Sequence, residues 1–371
     1  MTTTLRLVID QPTPLADPDA THAARELAVA LAQTAPSGCE VRGVAPADAD
    51  REALAALPGV AGVDRLALRG ATVAGLWRRG MRAGVGDGLV HSASLAAPLV
   101  RHDRVHDHDQ TVVTLWDLQA WDAPETLPRG AAAWARGMLR RAVRHADAVV
   151  VPTHHLARRL ADLAHLGDRI RVIAGAPAAA LRVPSDEVGR RRELSLPEGY
   201  VLMSAASAST ADLVVAFHAV ATAGRDTAVV VLDVAEGEEP ILADAASAAG
   251  IAEHRLHFRR RVDVPDRAAV YAGAVAFVAP ESSSRFPWRV LDALRLGLPV
   301  VASASETNRE LLLDGATLVE PGESEALGHA LSETLASTDS VERLSILAAD
   351  RGRAFSWLGA AERTWQLHAE L

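Results

Sequence analysis

The chain has 371 residues, too many for one ordinary core and enough for two domains. A formal net charge of −9 excludes the cationic excess that a phosphate-tracking nucleic-acid surface needs. Cys39 is the single cysteine, so neither a disulfide framework nor a Cys-based zinc site forms within one chain.

Short apolar runs alternate with Ala-, Leu- and Arg-rich helical stretches, the pattern of parallel βαβ units. Thr4 to Asp10 reads as the first strand, Ala20 to Gln33 as its helix and Cys39 to Val44 as the second strand. Gly88 to His91 and Thr111 to Leu115 follow as buried strands. Trp134 to His145 is an amphipathic helix with Arg136, Arg140, Arg141 and Arg144, either an ordinary surface helix or a face for an anionic membrane. Asp147 to Val151 is the next strand, Thr153 caps a helix through Leu163, and Arg169 to Ile173 is a further strand.

Pro184, the run Arg190 to Arg192 and Pro197 mark residues 184–199 as a linker. The second half offers the strands Tyr200 to Ser204, Ala228 to Val234, Leu256 to Phe258, Ala274 to Ala279, Pro299 to Ser303 and Ala316 to Val319. Its helices include Ala211 to Ala223 and Val290 to Leu296, and the chain closes on two helices, the last from about Ser356 to Glu370. No run reaches the roughly 20 apolar residues that span a bilayer. MTTTLRLVID lacks the charged and apolar regions of a signal peptide, so a cytoplasmic protein is expected, at most peripheral to a membrane.

The segment Val278 to Ser303, VAPESSSRFPWRVLDALRLGLPVVAS, carries the most specific pattern. Its skeleton of Pro280, Phe286, Val290, Leu291, Ala293, Gly297, Pro299, Val300, Val301 and Ser303 resembles the donor-binding signature of the family 4 glycosyltransferases. Asp147-Ala-Val-Val-Val-Pro-Thr153, the stretch Arg169 to Gly175, Glu310 with Asp314 to Ala316, and Phe355-Ser-Trp357 extend the resemblance in order over most of the chain.

The resemblance implies a GT-B fold: two Rossmann-like parallel-sheet domains facing across a cleft. Residues 1–183 would form the acceptor-side domain, 200–355 the nucleotide-sugar domain, and 356–371 a helix crossing back to the first. It also implies retaining hexosyl transfer from a nucleotide-sugar to a glycan or lipid-linked acceptor of the cell envelope. No cofactor or metal is expected. The donor diphosphate needs cations and helix N-terminal N–H groups, and carboxylates hold the sugar and ribose hydroxyls.

Several expected site residues are replaced. The first signature Glu falls on Ser284, Gly-Phe-Gly becomes Arg285-Phe286-Pro287, and the second Glu becomes Asp292. Asp292 remains a candidate for a ribose hydroxyl, while Pro287 removes a backbone N–H. Glu281, three residues early, reads as a solvated loop acid, the alternative being a stand-in for the missing carboxylate. The loop Ser204 to Asp212 lacks the family's Arg and Lys, and all 38 basic residues of the chain are Arg. Ser204 and Ala205 are small enough to let a donor approach the backbone, and Arg285 or Arg289 is the candidate replacement cation.

In the first half, Gln11 to Asp19 has no glycine, and the family's His-Asp pair reads Trp116-Asp117. Asp117 and Ser284 stand at the catalytic positions; Ser204, Ala205, Arg285, Phe286, Val290, Leu291 and Asp292 stand at the donor positions. His91 reads as a structural histidine at a strand end. The His- and Asp-dense run Arg101 to Asp109 reads as a solvated loop rather than a metal site. Two functions follow: a working transferase, or a non-catalytic relative serving as a partner subunit or glycan-binding protein. The replaced positions favour absent or much-weakened transfer, and a nucleotide-sugar epimerase lacks the acid and base groups it needs.

Overall fold

The computed structural model describes residues 2–371 apart from 11–12, 16, 104–105, 107, 225 and 284, with the side chain at 53 also left aside. The chain forms two compact units, Met1–Ala176 with Ser356–Leu371, and Pro177–Phe355. Each is built on one parallel sheet.

The first unit contains β1 (Thr3–Val8), β2 (Cys39–Ala45), β3 (Val63–Arg65), β4 (Leu89–Ser92), β5 (Gln110–Thr114), β6 (Ala148–Val151) and β7 (Ile170–Val172). Their order in the sheet is β3-β2-β1-β4-β5-β6-β7. The reversal between β1 and β4 is the topological switch at which doubly wound sheets bind ligands. β5 and β6 are buried along their whole length, as central parallel strands covered on both faces must be.

Side chains fix where the helices begin. Asp17 caps Pro18–Gln33 by accepting from Asp19 and Ala20 N–H, and Thr153 caps His154–Leu163 by accepting from Leu156 N–H, as the sequence predicts for Thr153. The last helix, Trp357–Glu370, packs against Pro18–Gln33 within this unit. Trp365 Nε1 donates to the Leu31 carbonyl at 3.0 Å. The buried indole therefore anchors the chain terminus to the first helix.

The second unit contains β8 (Tyr200–Ser204), β9 (Ala228–Leu232), β10 (Leu256–Phe258), β11 (Ala274–Ala279), β12 (Val300–Ser303) and β13 (Thr317–Val319). Their order, β10-β9-β8-β11-β12-β13, repeats the Rossmann pattern with the switch between β8 and β11. Ser209 and Asp212 form a reciprocal capping box on the helix Thr210–Thr222. Gly297 at φ +68 ends the helix Trp288–Arg295 and turns the chain into β12, a conformation that favours glycine. The stretch 184–199, expected as a linker, contains the helix Glu187–Glu193 and lies inside this unit. Arg190 bonds Asp266 at 2.7 Å, and Arg259 Nε donates to the Leu194 carbonyl at 2.6 Å, so this stretch is anchored to the second unit rather than loosely strung.

Candidate functional site

In the second unit the site elements gather at the carboxyl ends of β8, β9 and β11, beside the switch point. Ser204 ends β8 with its hydroxyl turned inward. Its Oγ donates to Asp233 Oδ2 at 2.8 Å and accepts from Ala206 N–H at 3.1 Å. Ala205 N–H donates to the Leu232 carbonyl at 2.8 Å. The loop is thus held from beneath, leaving small residues along its path.

The loop after β11 folds onto this one. Ser303 Oγ donates to the Pro280 carbonyl at 2.8 Å, fixing its start. The backbone N–H and the hydroxyl of Ser282 both donate to Asp212 Oδ1, at 3.3 and 3.0 Å. Arg285 Nη1 donates to the Ala206 carbonyl at 3.2 Å. A guanidinium therefore sits on the loop that lacks a basic residue in sequence. Ser284 lies outside the described residues.

The other candidate cation, Arg289, is committed elsewhere. It is 3% exposed and grips Asp233 through Nε and Nη2 at 2.7 and 3.1 Å. Asp292, 2% exposed, lies 3.0 Å from Arg267 Nε and 3.6 Å from Arg289 Nη1. The four groups form a buried network of two guanidiniums and two carboxylates, so their formal charges cancel. Asp292, expected at a ribose hydroxyl, is placed within this network. Asp233 and Arg267 were missed in sequence because their partners are 56 residues away in the case of Asp233 and on another helix in the case of Arg267. Asp233 does carry one faint signal, an acid just past a strand end, where it adopts φ +60.

Phe286, Val290 and Leu291 are core residues. The Phe286 ring meets Trp288 edge-on at 4.5 Å, locking the loop onto the helix Trp288–Arg295. That helix starts at Pro287 with no side-chain cap, so its first-turn N–H groups suit an anion.

Glu281 corrects the expectation of a solvated acid. It is 8% exposed, and its Oε2 has no hydrogen-bond partner among the described residues. Burial pushes its carboxyl up to about 7; nearby Asp212 adds to the rise, and Arg285 opposes it.

In the first unit, Asp117 Oδ1 accepts from Gln119 N–H at 2.9 Å, capping the turn after β5. Trp116 is buried and donates through Nε1 to the Ala93 carbonyl at 2.9 Å. His91 is structural, as expected. Its Nδ1 lies 3.3 Å from His368 Nε2, and His368 Nδ1 lies 2.9 Å from Gln110 Oε1. Since the amide oxygen only accepts, His368 carries its proton on Nδ1 and His91 donates to its Nε2. Burial drives both imidazoles below their ordinary range, His368 to about 4.

The run Arg101 to Asp109 is only partly a solvated loop. His102 Nε2 meets Asp147 at 2.8 Å, and the buried Asp109 accepts from Gly88 N–H at 2.6 Å and pairs with Arg82 at 3.1 Å. Residues 104, 105 and 107 lie outside the described set. The Arg-rich helix, Ala131–His145, uses two of its arginines inward: Arg136 donates to the Ala120 carbonyl and Arg141 to that of Leu99. Among the described residues no helix is long and apolar enough to cross a membrane.

A cavity of about 760 Å³ opens within the first unit at the carboxyl ends of β1 and β2. Its acids are occupied: Asp10 pairs with Arg25 at 2.5 Å, Asp48 accepts from Gly70 N–H at 2.8 Å and Asp50 from Glu52 N–H at 3.0 Å. Arg78, Arg79 and Arg129 line it with no ion pair among the described residues. Its charge is therefore available to an anion.

Residues 203–337 match the family model described as glycosyl transferases group 1. The chain is 32% identical over 140 residues to a phosphatidyl-myo-inositol mannosyltransferase of Mycobacterium leprae, a match spanning 37% of each protein. The chain thus spans little more than a third of the length of that relative. The fold resembles sucrose-phosphate synthase from Thermosynechococcus elongatus at a TM-score of 0.71, with 18% identity and 99% and 98% of the two chains covered. It also resembles Anabaena HepE in complex with UDP and glucose at 0.69, with 18% identity and both chains fully covered. The chain has the GT-B fold, and its segment 203–337 matches the glycosyl transferases group 1 model. The matched segment contains both loops of the second-unit site, from Met203 at the end of β8 to Ser337. The first-unit cavity lies outside the matched segment.

Proposed function

We propose that the protein transfers a hexosyl group from a nucleotide-sugar, held by the second unit, to a phosphate-bearing glycan or lipid-linked acceptor of the cell envelope. The observation that carries this reading is Arg285 on the Ser204–Ser209 loop, where a cation is needed and the sequence has none. The diphosphate would lie between Arg285 and the uncapped start of Trp288–Arg295. As the anomeric C–O bond breaks, the diphosphate keeps the bonding pair, and these donors stabilise the charge it gains. The acceptor hydroxyl forms the new glycosidic bond and gives up its proton to the departing diphosphate oxygen, with retention of configuration at the sugar. No metal is required for this work, because a guanidinium and backbone N–H groups supply the positive charge.

The acceptor side fits the first-unit cavity, whose Arg78, Arg79 and Arg129, without an ion pair among the described residues, suit a phosphate. The mycobacterial relative, named for a phosphatidyl-inositol acceptor and a mannosyl group, supports a phosphorylated polyol head and a hexose donor. The UDP and glucose of the Anabaena complex support a nucleotide on this fold. A non-catalytic role has no observation of its own in support, and Arg285 offers a cation for the loop that lacks one. The test is turnover: release of UDP or GDP from their hexose conjugates with phosphorylated polyol lipids present. Consumption of donor with formation of a glycosylated lipid supports the reading. Donor bound but never consumed, across both nucleotides and such acceptors, overturns it.

A further inference from the structure

We propose that Asp233 is a positioning residue for the donor diphosphate, holding the Ser204–Ser209 loop, on which Arg285 sits, in register with the start of the helix Trp288–Arg295. The inference rests on the donor-binding reading above and concerns a residue that itself touches no donor.

Asp233 stands just past the carboxyl end of β9, and the backbone is pinned on both sides of it. The Leu232 carbonyl accepts from Ala205 N–H at 2.8 Å, and Val234 N–H donates to the Arg259 carbonyl at 3.1 Å. Between these bonds Asp233 adopts φ +60, a left-handed conformation that Asp tolerates better than most residues. Its side chain is 7% exposed. Oδ2 accepts from Ser204 Oγ at 2.8 Å and from Arg289 Nε at 2.7 Å, and Oδ1 accepts from Arg289 Nη2 at 3.1 Å. In the sheet β9 neighbours β8, and β11 lies beyond β8. One carboxylate thus reaches from β9 to the loop after β8 and to the helix after β11, straddling the switch point.

Each grip bears on the candidate anion site. Ser204 Oγ also accepts from Ala206 N–H at 3.1 Å, and the Ala206 carbonyl is the group that accepts from Arg285. A continuous run of hydrogen bonds therefore leads from Asp233 through Ser204 and Ala206 to the guanidinium assigned to the diphosphate. On the other side, Arg289 is the second residue of the helix Trp288–Arg295, and its carbonyl accepts from the buried Tyr271 hydroxyl at 2.9 Å. The same carboxylate thereby fixes the first turn of that helix. Stability alone does not explain the arrangement, because desolvation offsets the attraction within a buried ion network and apolar residues of equal volume would serve as well. The network supplies fixed geometry instead, and a misplacement of about 1 Å costs about 100-fold in a site built on charge.

Calorimetric titration with UDP and GDP of wild type, Asp233→Asn, Ser204→Ala, Arg285→Ala and the Ser204→Ala/Arg285→Ala double variant tests this. Ser204→Ala cuts one arm of the carboxylate and leaves the Arg289 pair intact, so it serves even where Asp233→Asn fails to fold. Ser204→Ala is expected to weaken nucleotide binding about tenfold on its own and less than about twofold in the Arg285→Ala background, since it acts through that guanidinium. Folded Asp233→Asn, which weakens both arms, is expected to lose at least as much. A hydroxyl with a merely structural role would lower the melting temperature and leave affinity unchanged, or weaken binding equally in both backgrounds. Either result, or undiminished affinity in folded Asp233→Asn, overturns the positioning role while the donor-site reading stands. Absence of any nucleotide binding by wild type overturns the donor-site reading itself, and the positioning role with it.

Discussion

Asp292→Ala separates a structural carboxylate from a ribose ligand. In the structure Asp292 lies against Arg267 at 3.0 Å and Arg289 at 3.6 Å, all three residues being buried. Arg289 would retain Asp233, which it holds with two bonds. Arg267, 5% exposed, would be left without its carboxylate. Removing one partner of a buried pair costs about 3–5 kcal/mol, because the surviving charge stays desolvated. For a unit of this size each kcal/mol moves the melting temperature by roughly 2–4 °C, so a drop of roughly 10 °C is expected. Differential scanning calorimetry of wild type, Asp292→Ala and Asp292→Asn measures it. Asn keeps an acceptor and is expected to fall between the other two. A variant as stable as wild type that loses nucleotide affinity would refute the network account and make Asp292 a ribose ligand.

The buried histidine pair predicts acid sensitivity of the first unit. An imidazole whose pKa falls on folding contributes stability above its ordinary value, and that contribution is lost as pH drops toward the folded value. For His368, at about 4, the loss between about pH 6.5 and about pH 4 amounts to roughly 3 kcal/mol. Urea unfolding against pH should show this slope, and His368→Gln should flatten it by about one proton; an unchanged slope would contradict the assignment. Arg78→Ala with Arg79→Ala removes two exposed charges, without an ion pair among the described residues, from the first-unit cavity. Stability should change by less than about 0.5 kcal/mol, while affinity for a glycerol-phosphate or inositol-phosphate probe in an NMR titration falls about tenfold or more. Unaltered binding would move the acceptor phosphate elsewhere.

Much of the fold was legible because parallel strands buried on both faces are written as apolar runs. Ala148–Val151, Tyr200–Ser204 and Ala274–Ala279 stand out for that reason. β3, with Val63 as its only strongly apolar residue, gave no such signal. The helix Glu187–Glu193 was hidden by flanking prolines and an Arg run that resemble a linker. In the second unit, Gly297-x-Pro299 and Phe286 marked the loop after β11 from sequence alone. What each charge does there was not legible. Arg285 and Arg289 are equally basic in sequence, yet one is on the loop carbonyl of Ala206 and the other is locked to Asp233. Glu281 looks like any loop acid until the packing around it is known. Partners 56 or 79 residues apart, a carboxylate for Arg289 and a backbone carbonyl for Arg285, depend on the topology of the sheet, and no local period records them.

Arg285 gives the central claim its most direct test. Calorimetric titration with UDP, GDP and their hexose conjugates should be made on wild type and on Arg285→Ala. Micromolar binding of one nucleotide series by wild type, weakened about 10–100-fold in the variant, is the predicted result, since about 1.5–3 kcal/mol rests on a charge-assisted contact. Binding unchanged by the substitution, or none at millimolar ligand, would contradict the account.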